Sequence, residues 1–260
     1  MSAITVCPID PLSKDWRRLV DRAAQQTIYL QTEWLALHDV KIYAAYKGTD
    51  IHGAVVVAPT SYPLPYVPYQ GIVQRYKEDW DVADALIAEA EEVGRPVSVW
   101  NAPPMVDVRP FAWRWWNERK VMWSPCIRYT YFCYPDTRLE NRHRALITDA
   151  PVVEEDRFDW FEQWKAQPWV GPMDAEMMDK ILGLATVRVY TDYKAWVVWG
   201  VDMQDRGYYL ASVGEPTNVI YWLIRQHAST DLVGANSRER ALYKRGFGGV
   251  LKTGYGMVAV

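Results

Sequence analysis

Cysteine is scarce in this chain of 260 residues: Cys7, Cys126 and Cys133 are odd in number and show no CxxC spacing. That pattern offers neither a disulfide framework nor a zinc or thiol-redox site. Long apolar runs are lacking too. Stretches such as Ala54 to Ala58 and Ala195 to Trp199 fall far short of the roughly 20 residues a membrane helix needs. Met1 to Asp10 has none of the basic and apolar regions of a signal peptide. These absences together predict a reduced, cytoplasmic protein. Charge of one sign is not in excess either: the formal net charge is −3, with 23% of residues charged. Disorder is excluded on that balance, and a protein that binds polyanions without sequence preference would carry a basic surplus. Local basic patches stay open. No P-loop, no Ser-His-Asp pattern and no His/Cys set at metal-ligand spacing occurs, so no metal is expected.

Phenylalanine is sparse as well, at 5, whereas there are 14 Trp and 17 Tyr. Trp and Tyr combine a large apolar body with one polar handle, which suits a core between sheet and helices and equally an aromatic-lined cleft. Half of the residues are hydrophobic, enough to bury one large core or two small ones.

Along the chain the pattern is mixed α/β. Ile4 to Ile9 reads as a strand, and Ser13 caps a helix with Trp16, Leu19, Val20 and Ala23 on one face. A short helix through Glu33, Trp34 and Leu37 follows. Ile42 to Tyr46 and Ile51 to Ala58 flank Lys47-Gly48-Thr49-Asp50, a hairpin signal. Pro59 to Pro68 predicts a loop. Val82, Ala83, Leu86, Ile87 and Ala90 form one stripe of a helix that Gly94 ends. Arg95 to Trp100 is expected as a strand, Phe111 to Lys120 as a helix, and Val121 to Tyr134 as extended chain.

The second half repeats this order. Helices are predicted at Phe158 to Trp164 and along the stripe Met173, Met177, Met178, Ile181 and Leu182. A hairpin of Val187 to Tyr190 and Ala195 to Val201 comes next, then a strand at Tyr208 to Ser212. A helix (Val219 to His227), a strand (Leu232 to Ala235), a helix (Ser237 to Arg245) and a last strand (Val250 to Val260) complete it. Matching elements keep similar offsets: 147 residues from Tyr43 to Tyr190, 134 from Ser98 to Leu232, 127 from Trp115 to Leu242. Two diverged copies of one α/β unit are therefore expected, at 1–138 and 139–260, with the boundary near Pro135 to Asn141; the alternative is a single domain with coincidental alternation.

Asp231-Leu232-Val233-Gly234 leads through Ser237 and Arg238 into Ala241-Leu242-Tyr243-Lys244-Arg245-Gly246-Phe247-Gly248-Gly249. This stretch resembles the end of the FemAB family, where a strand closing on Asp-Φ-x-Gly enters a short helix and a basic Lys-Arg-Gly-Phe-Gly turn. Tyr208-Tyr209-Leu210-Ala211-Ser212 and the Trp-bearing helix after it continue the likeness, and Tyr66-Val67-Pro68-Tyr69-Gln70-Gly71 resembles the family's Pro-Tyr-x-Gly turn. The resemblance implies two GNAT-like units in tandem, each a mixed sheet flanked by helices, and an acyltransferase activity. The chain is short for the cell-wall branch and lacks its coiled-coil arm, which favours acyl-CoA over aminoacyl-tRNA as the donor.

By that resemblance the donor belongs to the second unit. Leu210, Ala211 and Ser212 would hold its carbonyl and pantetheine on the strand backbone, and Gly214, Thr217 and Asn218 would meet its phosphates at the start of the next helix. The glycine-rich pyrophosphate loop of ordinary GNAT enzymes is absent from both halves, and Glu215 sets a negative charge there. Tyr243 falls in register with the GNAT tyrosine that protonates the departing thiolate; the plainer role is packing beneath the last strand. Tyr66, Tyr69 and Gln70 would bind an amine acceptor between the halves, or else form a rigid loop with buried rings. Asp202, Asp231, His227 and His52 are open as general bases.

The function expected is transfer of an acyl, chiefly acetyl, group from acyl-CoA to an amine of a small molecule or peptide. The alternatives are a FemAB-type aminoacyl-tRNA-dependent transferase, an acyltransferase acting on a modified nucleotide or DNA amine, and a catalytically inactive binding module. The basic run Arg138, Arg142, His143 and Arg144 is either a solvated face or a contact for tRNA. Trp113, Arg114, Trp115, Trp116 and Arg119 either stack on bases or sugars or cover the sheet.

Overall fold

The computed structural model describes residues 3–259 apart from 24, 62, 77–78, 95, 103–106, 115–120 and 169. It holds two compact units: Met1–Arg128 with Thr253–Val260, and Tyr129–Lys252. Among the described residues no helix is long and apolar enough to cross a membrane.

The first unit runs β1 (Ile4–Pro8), α1 (Lys14–Val20), a 3-10 turn (Ile28–Leu30), α2 (Thr32–Leu35), β2 (Lys41–Lys47), β3 (Asp50–Val57), β4 (Ile72–Gln74), α3 (Trp80–Glu92), β5 (Val97–Trp100) and α4 (Arg109–Trp113). Strands β1 to β4 pair in chain order, all antiparallel. The β2–β3 turn is closed by Gly48 at φ +65°, which a side chain would resist. Alternation along β3 divides the packing between two faces. Ala54 and Val56 meet Trp16, Leu19 and Val20 of α1, whereas Val55 and Val57 meet Val82, Leu86, Ile87 and Ala90 of α3. Both helices are capped: Ser13, the cap expected from the sequence, accepts from the Trp16 amide at 3.2 Å, and Asp79 accepts from the Val82 amide at 3.3 Å.

The second unit takes up the end of β6 (Trp123–Cys133), then α5 (Asn141–Arg144), β7 (Val153–Glu155), α6 (Arg157–Lys165), α7 (Pro172–Leu182), β8 (Val187–Thr191), β9 (Ala195–Val201), β10 (Arg206–Gly214), α8 (Thr217–Gln226), β11 (Ser229–Asp231), α9 (Arg238–Arg245) and the start of β12 (Val250–Ala259). Its strands lie in the order β6-β11-β10-β9-β8-β7. The β10–β11 pair is parallel and the other paired neighbours are antiparallel. Val219, Ile220, Leu223 and Ile224 of α8 pack with Val197, Trp199 and Phe247.

Several details differ from what the pattern predicts. The units are not consecutive halves meeting at 138/139. The last strand pairs antiparallel with β5, from Trp100↔Gly256 to Val97↔Ala259, and so belongs with the first unit. β11 stops at Asp231 instead of running through Leu232 to Ala235, because Val233 (φ +42°) and Gly234 (φ +59°) turn the chain out of extended geometry. The buried stripe of α7 is Met178, Ile181 and Leu182, and Met173 is exposed. The sequence pattern does not predict β4, α5 or β7; each has only three or four residues, too few for a period to register. Helix α4 begins before Phe111, and its expected continuation through 115–120 lies outside the described residues.

Candidate active site

The second unit gathers its chemistry where β10 parts from β11. Their parallel ladder has three pairs, Arg206↔Ser229, Gly207↔Thr230 and Tyr208↔Asp231, and ends where β11 ends. Past Tyr208, β10 keeps only its β9 neighbour among the described residues. The chain after β11 instead stays with β6, through the Leu232 amide on the Tyr131 carbonyl at 2.9 Å and the Ala235 amide on the Tyr129 carbonyl at 2.7 Å. The β9–β10 register also shifts between Tyr209↔Trp199 and Ala211↔Val198, so Leu210 is an extra, bulged residue. Such a bulge re-aims the strand and commonly sits beside a reacting centre. Leu210, Ala211 and Ser212 thus share a half-buried stretch of strand without a neighbour on the β11 side.

The Tyr243 hydroxyl lies 3.2 Å from Thr217 Oγ1, at the first residue of α8. Thr217 donates its own proton to Glu215 Oε1 at 2.6 Å, so the Tyr243 O–H is the donor to Thr217. Burial pushes the Tyr243 phenol well above the ordinary tyrosine range. Tyr209, also raised by burial, shares a 2.7 Å hydrogen bond with Ser212. Gly214 ends β10 at φ +83°, where a Cβ would stand 2.5 Å from the Lys194 carbonyl oxygen.

The α8 start is less open than the sequence suggests. Asn218 donates to Asp192 Oδ2 at 3.0 Å and accepts from the Thr148 amide at 3.2 Å, which commits its amide group to the fold. Pro216 is the cap residue and offers no side-chain hydrogen bond. Helix α9 is better capped, with Ser237 accepting from the Arg240 amide at 3.2 Å.

Two groups beside Tyr243 escaped the sequence reading. Lys244 is only 6% exposed. Its Nζ donates to the Leu232 carbonyl and stands 5.1 Å from the Tyr209 ring centroid. Burial pulls its ammonium down to about 7, with Asp231 opposing and Arg240 adding to the shift. His143 looks in sequence like one more member of a basic run. Its ring is in fact buried, 5.1 Å from the Tyr243 ring and 4.6 Å from Phe247, while Arg138, Arg142 and Arg144 around it are exposed. Nothing in a single sequence separates the inward residue of such a run from its solvated neighbours.

The candidate bases stand elsewhere or are engaged. Asp202 accepts from Arg206 and Tyr208, each at 2.8 Å, and stabilises the β9–β10 turn. Asp231 accepts from Thr130 and from the Val233 amide. His227 pairs with Asp205 at 2.8 Å at the far end of α8, a helix of ten residues and so about 15 Å long. His52 belongs to the first unit, 3.8 Å from Asp79. Among the described residues no group of three or more His, Cys, Asp or Glu side chains is arranged to hold a metal ion.

In the first unit, Gln70 is fully buried, bonds to Trp100 through both backbone groups, and accepts from the Leu64 amide at 3.0 Å. Tyr69 is buried with its ring 5.9 Å from Tyr29, and Tyr66 is half-buried at φ +58°. Gln70 and Tyr69 thus make their contacts inside the first unit. Arg114 is 4% exposed and paired with Glu91 and Asp84, so it faces the interior of its unit instead of a base or sugar. Trp113 meets Trp80 edge to face at 5.5 Å, and Trp115, Trp116 and Arg119 lie outside the described residues.

No protein-family model and no curated protein matches the chain. Solved structures do. The C-terminal DUF2156 domain of an Agrobacterium fabrum protein named as a lysylphosphatidylglycerol synthetase is 12% identical with a TM-score of 0.59, over 94% of this chain and 92% of that one. A tandem GNAT protein from the clavulanic acid biosynthesis pathway is 11% identical with a TM-score of 0.59, over 99% and 98%. A GNAT-family acetyltransferase from Colwellia psychrerythraea is 10% identical with a TM-score of 0.56, over 98% and 99%. At such identities the likeness concerns the fold, and the fold is a mixed α/β pair of GNAT-like units in tandem.

Proposed function

We propose that the chain is an N-acyltransferase whose reaction centre lies in the second unit, with Tyr243 as the proton donor to the leaving group. One observation carries this reading: the Tyr243 hydroxyl is held 3.2 Å from Thr217 at the head of α8, next in the chain after β10, the strand that loses its parallel neighbour after Tyr208. A strand with unpaired backbone amides offers donors for an acyl carbonyl and for the oxyanion formed when an amine attacks it. The amine's lone pair forms the new C–N bond, the tetrahedral adduct collapses, and the C–S bond breaks as the Tyr243 proton passes to sulfur. The amine releases its proton to solvent, from which the tyrosinate is restored. Only the hydroxyl rotor must turn from Thr217 towards the sulfur, and a raised tyrosine pKa keeps that proton in place at neutral pH.

The donor class is an acyl thioester, with acetyl-CoA the lead candidate. The thioester end fits the β10 edge and Tyr243. The diphosphate end fits less well: the α8 start has no glycine pair, and Glu215 accepts from Thr217 there. A second reading, transfer from aminoacyl-tRNA in the FemAB manner, is favoured by the exposed Arg138, Arg142 and Arg144. Binding of tRNA that weakens steeply with salt would support it.

The test is thiol release from acetyl-CoA across a panel of small amines. Tyr243→Phe is expected to lower kcat about 100-fold with little change in donor KM, in line with the loss of a general acid. Unchanged turnover in that variant would remove Tyr243 from the chemistry.

A further inference from the structure

We propose that His143 is the positioning residue of Tyr243, a wedge that fixes the phenol ring against Thr217. The proposal rests on the reading of Tyr243 as proton donor, and its geometry is independent of that reading. Three rings meet pairwise: His143 with Tyr243 at 5.1 Å, His143 with Phe247 at 4.6 Å, and Tyr243 with Phe247 at 5.5 Å. Tyr243 and Phe247 lie four residues apart, the second just past the end of α9, so a helical turn brings them together. The third ring comes from α5, about a hundred residues earlier.

The chain is shaped to admit that ring. At Gly246 a Cβ would fall 2.2 to 2.7 Å from His143 ring atoms, so only glycine leaves the slot open. At Gly248 a Cβ would fall 2.0 Å from the Arg138 carbonyl oxygen. The Glu140 amide donates to the Gly246 carbonyl at 2.9 Å, and Arg245 donates to the Glu140 carboxylate at 2.9 Å. The segment from Arg138 to His143 is thereby clamped on the C-terminal end of α9. Three contacts then define the Tyr243 side chain: Thr217 at its hydroxyl, and His143 and Phe247 at its ring.

A leucine or phenylalanine would fill the slot without a buried polar atom. His143 is 3% exposed, and its buried ring nitrogens meet no side-chain partner, only the weaker pull of the Tyr243 backbone. Buried polar groups with so little partnering are uncommon, and each calls for an explanation. Burial and Arg142 hold its pKa below the usual imidazole range, against the pull of the Tyr243 backbone, Glu215 and Glu140. The wedge is therefore neutral at neutral pH. Protonation on acidification places a charge in an apolar slot with Glu140 and Glu215 nearby, and it loosens the hold on Tyr243.

The experiment uses the full-length protein with ¹³C-labelled tyrosine, the Tyr243 signal being assigned by its disappearance in Tyr243→Phe. In His143→Ala the Tyr243 ring signal is expected to shift or broaden. Thiol release from acetyl-CoA should fall about tenfold in kcat, with donor KM within about twofold. His143→Phe keeps the wedge and removes the titration. It should restore kcat at pH 8 to within about twofold, and it should lose the part of the decline that wild type shows below about pH 6.5. An unmoved Tyr243 signal in His143→Ala overturns the proposal, as do superimposable pH profiles for wild type and His143→Phe. If Tyr243→Phe leaves turnover intact, the proton-donor reading fails, and the ring signal still decides whether His143 positions Tyr243.

Discussion

A lysine ammonium with 6% of its surface exposed loses most of its hydration, and at Lys244 the replacements are a carbonyl from Leu232 and the face of Tyr209. These do not make up the loss, and the amine is pulled down to about 7. The sign of the pH effect follows. Between pH 7 and the ordinary lysine value of about 10.4, the unfolded chain holds a proton that the folded one has given up. Stability therefore rises with pH in that window, by up to about 1.4 kcal/mol per pH unit, and the penalty is fully present below pH 7. Cys133, pushed up to about 12 by burial, acts the other way above about pH 8.5, so the clean interval is pH 7 to 8.5. Urea denaturation of wild type should show the rise and Lys244→Met a flatter line; parallel lines would mean that Lys244 is not the group titrating. Legibility at this scale divides the same way. Tyr243 stands out because it keeps register with a glycine three residues on and a phenylalanine four residues on. Lys244 and His143 do not, since which member of a basic run turns inward is decided by Leu232 and Gly246, groups contributed by other segments.

At the scale of elements, amphipathic period and caps recovered the longer helices and the two hairpins, because α1, α3 and α8 each bury one face against a sheet. The feature that defines the candidate site was not legible. β11 ends at Asp231 through two positive φ angles, one of them at Val233, where a β-branched residue gives no warning of a turn. The register shift in β10 is equally silent in sequence. Glycines near the site divide into two kinds that sequence cannot tell apart. Gly234 at φ +59° has open space around its Cβ position, whereas Gly248 at φ +74° would drive a Cβ to 2.0 Å from the Arg138 carbonyl oxygen. Gly234→Ala should cost about 1–2 kcal/mol, from backbone conformation alone. Gly248→Ala carries the same penalty and must also displace the backbone leading to α5. Its urea midpoint should fall distinctly further, and equal losses for the two variants would show that the Arg138 to His143 segment is not clamped there.

At the scale of the whole molecule, the repeat of hairpin, strand, helix and strand was legible from matching offsets, and it led to two consecutive halves. Linear order misplaces the end of the chain. Residues 253–260 are furthest from β5 in sequence, yet Met257 and Ala259 share a core with Val97, Val99 and Leu86 of the first unit. Offsets between repeats carry no information about a strand that pairs with the other copy, since strand pairing depends on which edge is open. The consequence is measurable. A chain ending at Lys252 keeps every described residue of the second unit but deprives Val97–Trp100 of the strand opposite. Hydrogen exchange of the Val97 and Val99 amides should then quicken by orders of magnitude, because removing a paired strand lowers the local opening free energy. Amides of β8 to β10, whose partners all lie within 129–252, should keep their protection. If Val97 and Val99 stay protected in the shortened chain, the C-terminal strand is not the partner that holds β5. If instead β8 to β10 lose protection with them, the two units do not unfold separately.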